Sequence, residues 1–477
     1  MIVKLENTYQ QLGTPFYQQI EPIPVIHPVL FLWNITLAKQ LTLPDNVESN
    51  AARLFSGNQL LEGSVPIALA YAGHQFGGFS PQLGDGRAHL LGEVLMADNR
   101  RLDIQLKGSG QTKYSRRGDG RCAIKPAIRE YIMSEAMYAL GVPTTRTLAV
   151  VTTGEDLYRG LSEPGAIVTR VAQSHIRVGT FQYFAAQGET DSLAKLLDYA
   201  IERHYPDIDL TDEHRALAFL DAVIDKQIET IVHWMRVGFI HGVMNTDNVT
   251  ISGETIDYGP CAMLGIYHPE TVFSSIDTNG RYCFGNQPSI MQWNMARLAE
   301  CLIPLISGEK DDIIKSLESR ILNITDSYQA AYYQMMHNKL GLLEVSNNEL
   351  IDDLLTLLLD NKLDYTQSFI DLTQVLNQDD LSVSAIDSEW VEKWLSKIKQ
   401  GDRVASLELM QQSNPVVIPR NHHVERVLEE CKASGNNLSA LNYLNVLLSP
   451  YQEITETHDY NDLPIDRDVS YQTFCGT

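Results

Sequence analysis

Asn248 and Asp257 stand at the two ends of a segment, Val249–Ile256, that reads as a short β-hairpin turned by Ser252-Gly253. A hairpin brings the residues at its ends to one edge, so this pair has the oxygen donors and the spacing that magnesium takes. Asp247, beside Asn248, adds a carboxylate able to accept a proton. Far upstream, Lys107 closes a predicted strand, Ile104–Leu106, and two Gly-Asp-Gly-Arg copies, Gly84–Arg87 and Gly118–Arg121, flank it. Glycine lets backbone N–H groups approach phosphate oxygens, and arginine adds bidentate charge. The local charge points the same way. Between Arg100 and Arg129 there are nine Lys/Arg and two acids, Asp103 and Asp119, in a chain whose net charge is −23. Neither glycine-rich stretch matches the Walker pattern. The chemistry expected of this set is the binding of an ATP-type polyphosphate with a divalent metal.

The spacing is that of a protein-kinase catalytic loop, in which a histidine is followed seven places later by a metal-binding asparagine and then by Asp-Phe-Gly. Here His241 is followed by Asn248 and then by Asp257-Tyr258-Gly259. His241 reads as a structural loop histidine. Lys107, with a helix carrying Glu130 some twenty residues on, matches the kinase lysine and the glutamate that orients it, and Glu135 competes for that pairing. One part departs: Val243 occupies the place of the kinase proton acceptor, and Asp247 is the nearby replacement. A phosphotransferase using Asp247 and a nucleotide-binding pseudokinase scaffold are two readings of this set. Val243 speaks against the first, and the intact Lys107, Asp247, Asn248 and Asp257 against the second.

The motifs GHQFG (73–77), LGDGRA (83–88), QLKGSGQTKYSRRGDGR (105–121), REY-x-x-SEAM (129–137) and HGVMNTDN through DYGP (241–260) resemble the selenoprotein O family. The resemblance runs from the N-terminus past residue 300 and returns at NPVVIPRN, Asn414–Asn421. It implies a protein-kinase-like two-lobed α+β fold in which ATP lies flipped, so that its α-phosphate meets the acceptor. The implied reaction is AMP transfer to Ser, Thr or Tyr hydroxyls of proteins with release of pyrophosphate; bacterial relatives are also linked to UMP transfer from UTP with Mn2+. Carried over by motif, Gly84, Gly86, Arg87, Lys107, Asp119, Gly120, Arg170, Arg177 and Asp257 contact the nucleotide. Asn248 and Asp257 hold Mg2+ or Mn2+, Asp247 accepts the proton, and Glu130 pairs with Lys107. Family members carry Cys or selenocysteine third from the end, the place of Cys475, and some bacterial relatives pair it with an activation-segment cysteine. The corresponding stretch, Pro269–Asp277, has none, so Cys261 and Cys283 are both candidate partners for a redox bond.

These residues need elements to position them. Strands are expected at His89–Leu95 and Leu102–Leu106, joined by Ala97-Asp98-Asn99, then at Thr147–Thr153 and Ala166–Val171. Between the pairs lies a helix with Pro126 in its first turn, an apolar face of Ile128, Tyr131 and Ile132, and a stop at Gly141 and Pro143. From Ser192 the period becomes helical. Ala216–Val237 reads as a long amphipathic helix stopped at Gly238, and residues 288–307 and about 308–450 as further helices. The expected organisation is an N-terminal extension with a β-rich nucleotide-binding lobe over 1–185, a helical lobe with the catalytic loop and metal site over 186–307, and a helical extension with the cysteine-bearing tail over 308–477. At 477 residues with 44% hydrophobic and 20% charged, the chain is globular and larger than one compact core. Its acidity argues against nucleic acid and anionic membranes as partners, leaving ATP and protein substrates. The start MIVKLENTYQ lacks a signal-peptide pattern, no apolar run reaches a membrane span, and the six cysteines are scattered, so a cytoplasmic protein with reduced thiols is expected.

Overall fold

The structure is a computed structural model that describes residues 4–44, 46–160, 162–344, 348–398, 401–466, 468 and 470–474. It is mixed α and β, with an antiparallel sheet in the first part of the chain and helices through most of the rest. The strands are β1 (Tyr17–Gln19), β2 (Val29–Trp33), β3 (Ile67–Leu69), the hairpin β4 (Gly73–Gln75) and β5 (Gly78–Ser80), β6 (Ala88–Leu95), β7 (Arg101–Lys107), β8 (Cys122–Ala123), β9 (Arg146–Tyr158) and β10 (Ser162–Ala172). The main sheet runs β1-β3-β6-β7-β10-β9-β2, with β8 also on β10. β6 and β7 turn where expected, with Asn99 in the left-handed region at φ +66. β9 and β10 extend well past the expected ranges because they pair with each other along most of their length.

Alternation along the strands buries both faces. Ile104, Leu106, Val151 and Ile167 share a core with α1 (Ile35–Gln40) and α2 (Asn46–Leu54). Leu90, Val150 and Val168 face the other way, onto α3 (Ile124–Ala139), whose Ile128, Tyr131 and Ile132 are buried as their spacing requires. The α3 side is continuous with the core of the helices that follow: α4 (Val178–Gln187), α5 (Thr190–His204), α6 (Arg215–Val237), α7 (Gln287–Leu302), α8 (Lys310–Lys339), α9 (Glu349–Asp360), α10 (Tyr365–Gln378), α11 (Ser388–Ile398), α12 (Arg403–Ser413), α13 (Asn421–Ser434) and α14 (Leu438–Leu447). Among the described residues no helix is long and apolar enough to cross a membrane.

Three sequence expectations shift. Helix begins at Val178 rather than Ser192, because α4 is buried on nearly all sides and so shows no amphipathic stripe. β1 and β2 lie where no strand is expected, and they gain strand character only from distant partners, Ile67–Leu69 and Ala149–Thr152. The hairpin over Val249–Ile256 is reduced to one bridge, Val249 with Thr255, because Thr250 pairs instead with Arg177 and Thr255 also with Thr144.

Candidate active site

The loop carrying Asp247, Asn248 and Asp257 is clamped at both ends. α6 stops at Gly238, which takes the left-handed conformation and caps the helix by donating to Met235 O. β11 (Phe239–Ile240) then pairs with β12 (Ala262–Met263), closing the loop between them. α6 supports it from beneath: Gln227 Nε2 donates to Thr250 O at 2.7 Å and Trp234 Nε1 to Thr255 Oγ1 at 2.8 Å. His241 is buried and structural, as read from sequence. Its Nδ1 accepts from Val243 N at 3.3 Å, which makes Nε2 the donor to Ile256 O at 2.9 Å. The imidazole thereby holds the start of the loop to the residue before Asp257.

Every residue expected at the nucleotide, the metal or the proton lines one cavity of about 430 Å³: Gly84, Gly86, Arg87, Lys107, Asp119, Gly120, Arg170, Arg177, Asp247, Asn248 and Asp257. Glu130 stands behind it. Lys107 Nζ contacts Glu130 Oε2 at 2.6 Å and Asp257 Oδ1 at 3.0 Å. Arg170 pairs with Glu130 as well and reaches Asp257 Oδ1 at 3.4 Å. β-sheet register sets this arrangement, placing Lys107 opposite Val168 and Arg170 opposite Gln105. Glu135 is engaged elsewhere, by Arg146 at 2.6 Å, so Glu130 is the partner of Lys107. Burial alone would raise the Glu130 carboxyl, but Arg170 and Lys107 together hold it below the usual range.

The glycines are required by contact. A Cβ on Gly84, which sits at φ +81, would fall 2.3 Å from the Tyr114 ring, and one on Gly86 would meet Tyr114 O at 2.9 Å. The two Gly-Asp-Gly-Arg turns thus pack through residues 110–116: Thr112 Oγ1 donates to Asp85 O at 2.7 Å and Gly110 N to Gly120 O at 3.0 Å. Asp119 is ion-paired at the rim with Arg159, 2.7 Å away. Arg177 lies 4.2 Å from the Tyr71 ring, and its Nη2 is buried without an acceptor, 3.9 Å from Asp85. The basic run divides. Lys107, Arg116 and Arg121 line the cavity, whereas Arg100, Arg101, Lys125 and Arg129 pair with Asp98, Glu6, Glu429 and Glu425 away from it.

The two aspartates of the loop differ in state. Burial would raise Asp257, but Lys107, Arg170 and Arg87 outweigh it and hold the carboxyl far below the usual range. Its backbone is in the left-handed region, φ +69, an uncommon conformation that aspartate tolerates better than most residues. Asp247 has no comparable neighbour. Burial pushes its carboxyl up to about 6, against a weaker pull from Arg177; among the described residues Oδ1 is buried with no hydrogen-bond partner, and Oδ2 accepts from Gln75 Nε2 at 3.4 Å. A divalent cation fits the remaining donors. The ion pairs of Asp257 with Lys107 and Arg170 fall on Oδ1, and Asn248 uses Nδ2 to donate to Val243 O at 3.1 Å, which leaves its carbonyl oxygen together with Asp257 Oδ2 as oxygen donors. Hard oxygen donors of this kind suit Mg2+ or Mn2+.

Sequence reading missed one wall of the cavity. Tyr71, Gln75, Phe76, Asn245 and Ile276 line it, and the β4–β5 hairpin is bound to the catalytic loop. His74 N donates to Thr246 Oγ1 at 2.7 Å, Phe76 N to Asn245 Oδ1 at 3.0 Å, and a Cβ on Gly73 would come within 2.7 Å of Asp247 Oδ1. The GHQFG motif was the available signal; its contacts, 170 residues away, were not. At the other end of the loop, Thr473 N donates to Phe273 O at 2.8 Å, Ser275 N to Thr473 O at 3.0 Å, and Thr473 Oγ1 to Pro260 O at 2.7 Å. Cys475 lies outside the described residues. Of its candidate partners, Cys261 is buried with its thiol pushed up to about 11 by burial, and Cys283 is half-buried.

With this geometry established, comparison with known proteins is specific. The family profile described as "Protein adenylyltransferase SelO" matches residues 1–448. The chain is 51% identical over its whole length to the protein nucleotidyltransferase YdiU of Teredinibacter turnerae and 50% identical to that of Pseudoalteromonas translucida, each covered in full. It is 48% identical to the YdiU of Bacillus anthracis over 99% of this chain and 98% of that one.

Proposed function

The chain belongs to the SelO family and is a protein nucleotidyltransferase, and from that premise we propose that it transfers AMP from ATP to Ser, Thr or Tyr hydroxyls of proteins. The acceptor oxygen attacks the α-phosphorus, the bond from that phosphorus to the α,β-bridging oxygen breaks, pyrophosphate leaves, and the hydroxyl proton passes to Asp247. The observation that carries this reading is the pairing, in one cavity, of a cation-bound Asp257 with an Asp247 whose carboxyl is pushed up to about 6. A group near that value can be ionised at neutral pH yet basic enough to take a proton. Val243 supplies no such group in the position a kinase would use.

In this reading the fold is kinase-like and two-lobed. Residues 1–185 form the extension and nucleotide-binding lobe, 186–307 the lobe with the catalytic loop, and 308–477 a helical extension. The nucleotide lies with its β- and γ-phosphates toward Arg87, Lys107, Arg170, Arg177 and the glycine turns at Gly84, Gly86, Asp119 and Gly120. Asn248 and Asp257 hold Mg2+ or Mn2+, which when bound neutralises phosphate charge. Glu130 fixes Lys107 and Arg170. UTP in place of ATP, with Mn2+, is the variant of the same chemistry that the family also suggests, and the cytoplasm is the compartment in which ATP and protein acceptors meet the chain. Incubation of the protein and an acceptor with ATP labelled separately at the α- and γ-phosphates tests the proposal. Label from the α-position is expected on protein; transfer of γ-label at a comparable rate would overturn it in favour of a kinase.

A further inference from the structure

An acceptor protein must bring its hydroxyl to Asp247, and the surface there is formed by the β4–β5 hairpin. Its tip, Phe76-Gly77, has both residues in the left-handed region, at φ +51 and +85. That conformation is rare for a bulky side chain, and it is held here by the bond from Phe76 N to Asn245 Oδ1. Arg281 lies against the tip: a Cβ on Gly77 would be 3.8 Å from its Cζ and Nη1. The guanidinium lies over the rings of Trp293, at 4.7 Å, and Tyr282, at 5.7 Å. Its Nε and Nη2 are buried without an acceptor, and it makes no ion pair among the described residues. Arg297, 5.3 Å from the same Trp293 ring, also has a buried Nε without an acceptor, although its Nη2 pairs with Glu300 at 2.7 Å.

Two arginines lie over one indole, each with at least one buried guanidinium donor that meets no acceptor among the described residues, in a chain of net charge −23. Buried guanidinium donors without acceptors are costly, and a carboxylate is the geometric match for them. Three exposed apolar side chains stand near them, Phe76, Phe79 and Ile276, at 38%, 42% and 48% exposed, beside the exposed Thr278, Asn279 and Glu300. A guanidinium flanked by exposed apolar side chains, close to the hairpin that contacts Asp247, is a recognition surface for an extended chain.

We propose that Arg281, backed by Trp293 and Arg297, is a specificity subsite that takes an Asp or Glu side chain of the acceptor protein near the modified hydroxyl. This rests on the nucleotidyltransferase reading and deepens it by naming a substrate class, hydroxyl residues in acidic surroundings. The reach is set by the hairpin. Gln75 touches Asp247 and Gly77 touches Arg281, so at about 3.3 Å per extended residue the carboxylate sits roughly two or three residues from the hydroxyl.

The test uses the full chain, α-labelled ATP and synthetic peptides with one serine flanked at two and three residues by Glu, Ala or Lys. For the wild type, kcat/KM for the Glu peptide is expected to exceed that for the Ala peptide by about 10-fold, a typical effect of one charge-assisted contact. Arg281→Ala should remove that difference, chiefly through KM, and Arg281→Glu should invert it in favour of the Lys peptide. Recovered turnover on the Lys peptide cannot come from a misfolded variant. Arg281→Lys, which keeps the charge without the planar stack, should keep the sign of the preference. Equal use of the three peptides by the wild type, or a Glu preference that survives Arg281→Ala, would overturn the subsite alone. Absence of α-label from every peptide and from the protein itself would overturn the nucleotidyltransferase reading and the subsite with it.

Discussion

The cavity has one wall where cations ion-pair a carboxylate and one where, among the described residues, none does, and a carboxylate stands at each. Asp257 faces Lys107 and Arg170, themselves fixed by Glu130, and its charge is locked in. Asp247, ten residues earlier, faces Gln75, Gly73 and the hairpin, and burial there costs it part of its acidity. The same side chain is thus held as an anion on one side and pushed toward neutrality on the other, and in the proposed reaction that difference assigns the proton to Asp247. On the proposed function, Asp247, desolvated by the second wall, stands in for the acceptor that Val243 does not supply.

The comparison breaks most severely at Asp257. Asp257→Ala should remove metal-dependent nucleotide binding and turnover together, lowering kcat/KM by about 10⁴-fold or more, since lost charge stabilisation of several kcal/mol adds to lost affinity. Near-normal activity would mean that the phosphates are held without this wall. Asp247→Asn should lower kcat by about 10²–10⁴-fold, the range of general-base contributions, while equilibrium binding of the nucleotide changes little. Matching losses in both would make Asp247 a metal ligand instead. Thermal unfolding gives an independent check. The folded-state penalty of a raised carboxyl is absent below its unfolded pKa, about 4, and complete above about 6. Asp247→Asn should therefore raise the Tm relative to wild type at pH 7 and not at pH 4.

Gly73→Ala is a smaller and sharper probe. The added methyl would press on Asp247 Oδ1, a movable atom, so the fold should survive while the carboxylate is displaced. A misplacement on the order of 1 Å can cost about 10²-fold in rate; the expected result is that loss in kcat, with Tm and nucleotide affinity intact. An unchanged kcat would show that the hairpin does not position the base. The mildest test leaves the chain unaltered. For the wild type, kcat/KM should rise about tenfold per pH unit up to about 6 and level off above it, because the ionised Asp247 is the active form. Asp257, held far lower, adds no limb in that range. A profile flat from pH 5 to 8 would remove the distinction between the two walls.

The cationic wall was largely legible in the sequence and the other was not. Lys107 ends a strand with clear alternation, Asn248 and Asp257 are nine residues apart, and the glycine turns repeat one tetrapeptide, so local spacing carried the message. What spacing could not decide was Glu130 against Glu135, one helix turn and a residue apart; Arg146, on another strand, settles it by taking Glu135. The hairpin wall depends on contacts between residues 73–77 and 245–247, and nothing local in Phe76-Gly77 announces a left-handed phenylalanine, a conformation that propensity assigns to Asn or Gly. Arg281 gave no signal because its neighbours, Tyr282 and Trp293, matter only once α7 packs beside the hairpin.

The bonds of Thr473 to Pro260, Phe273 and Ser275 place a late residue against the stretch that follows Asp257. During synthesis that stretch emerges 200 residues before its partner exists. At about 5–20 residues per second the delay is roughly 10–40 s. For that interval the stretch after Asp257 is without the bonds that Thr473 supplies, and its edge beside the cavity is unfinished.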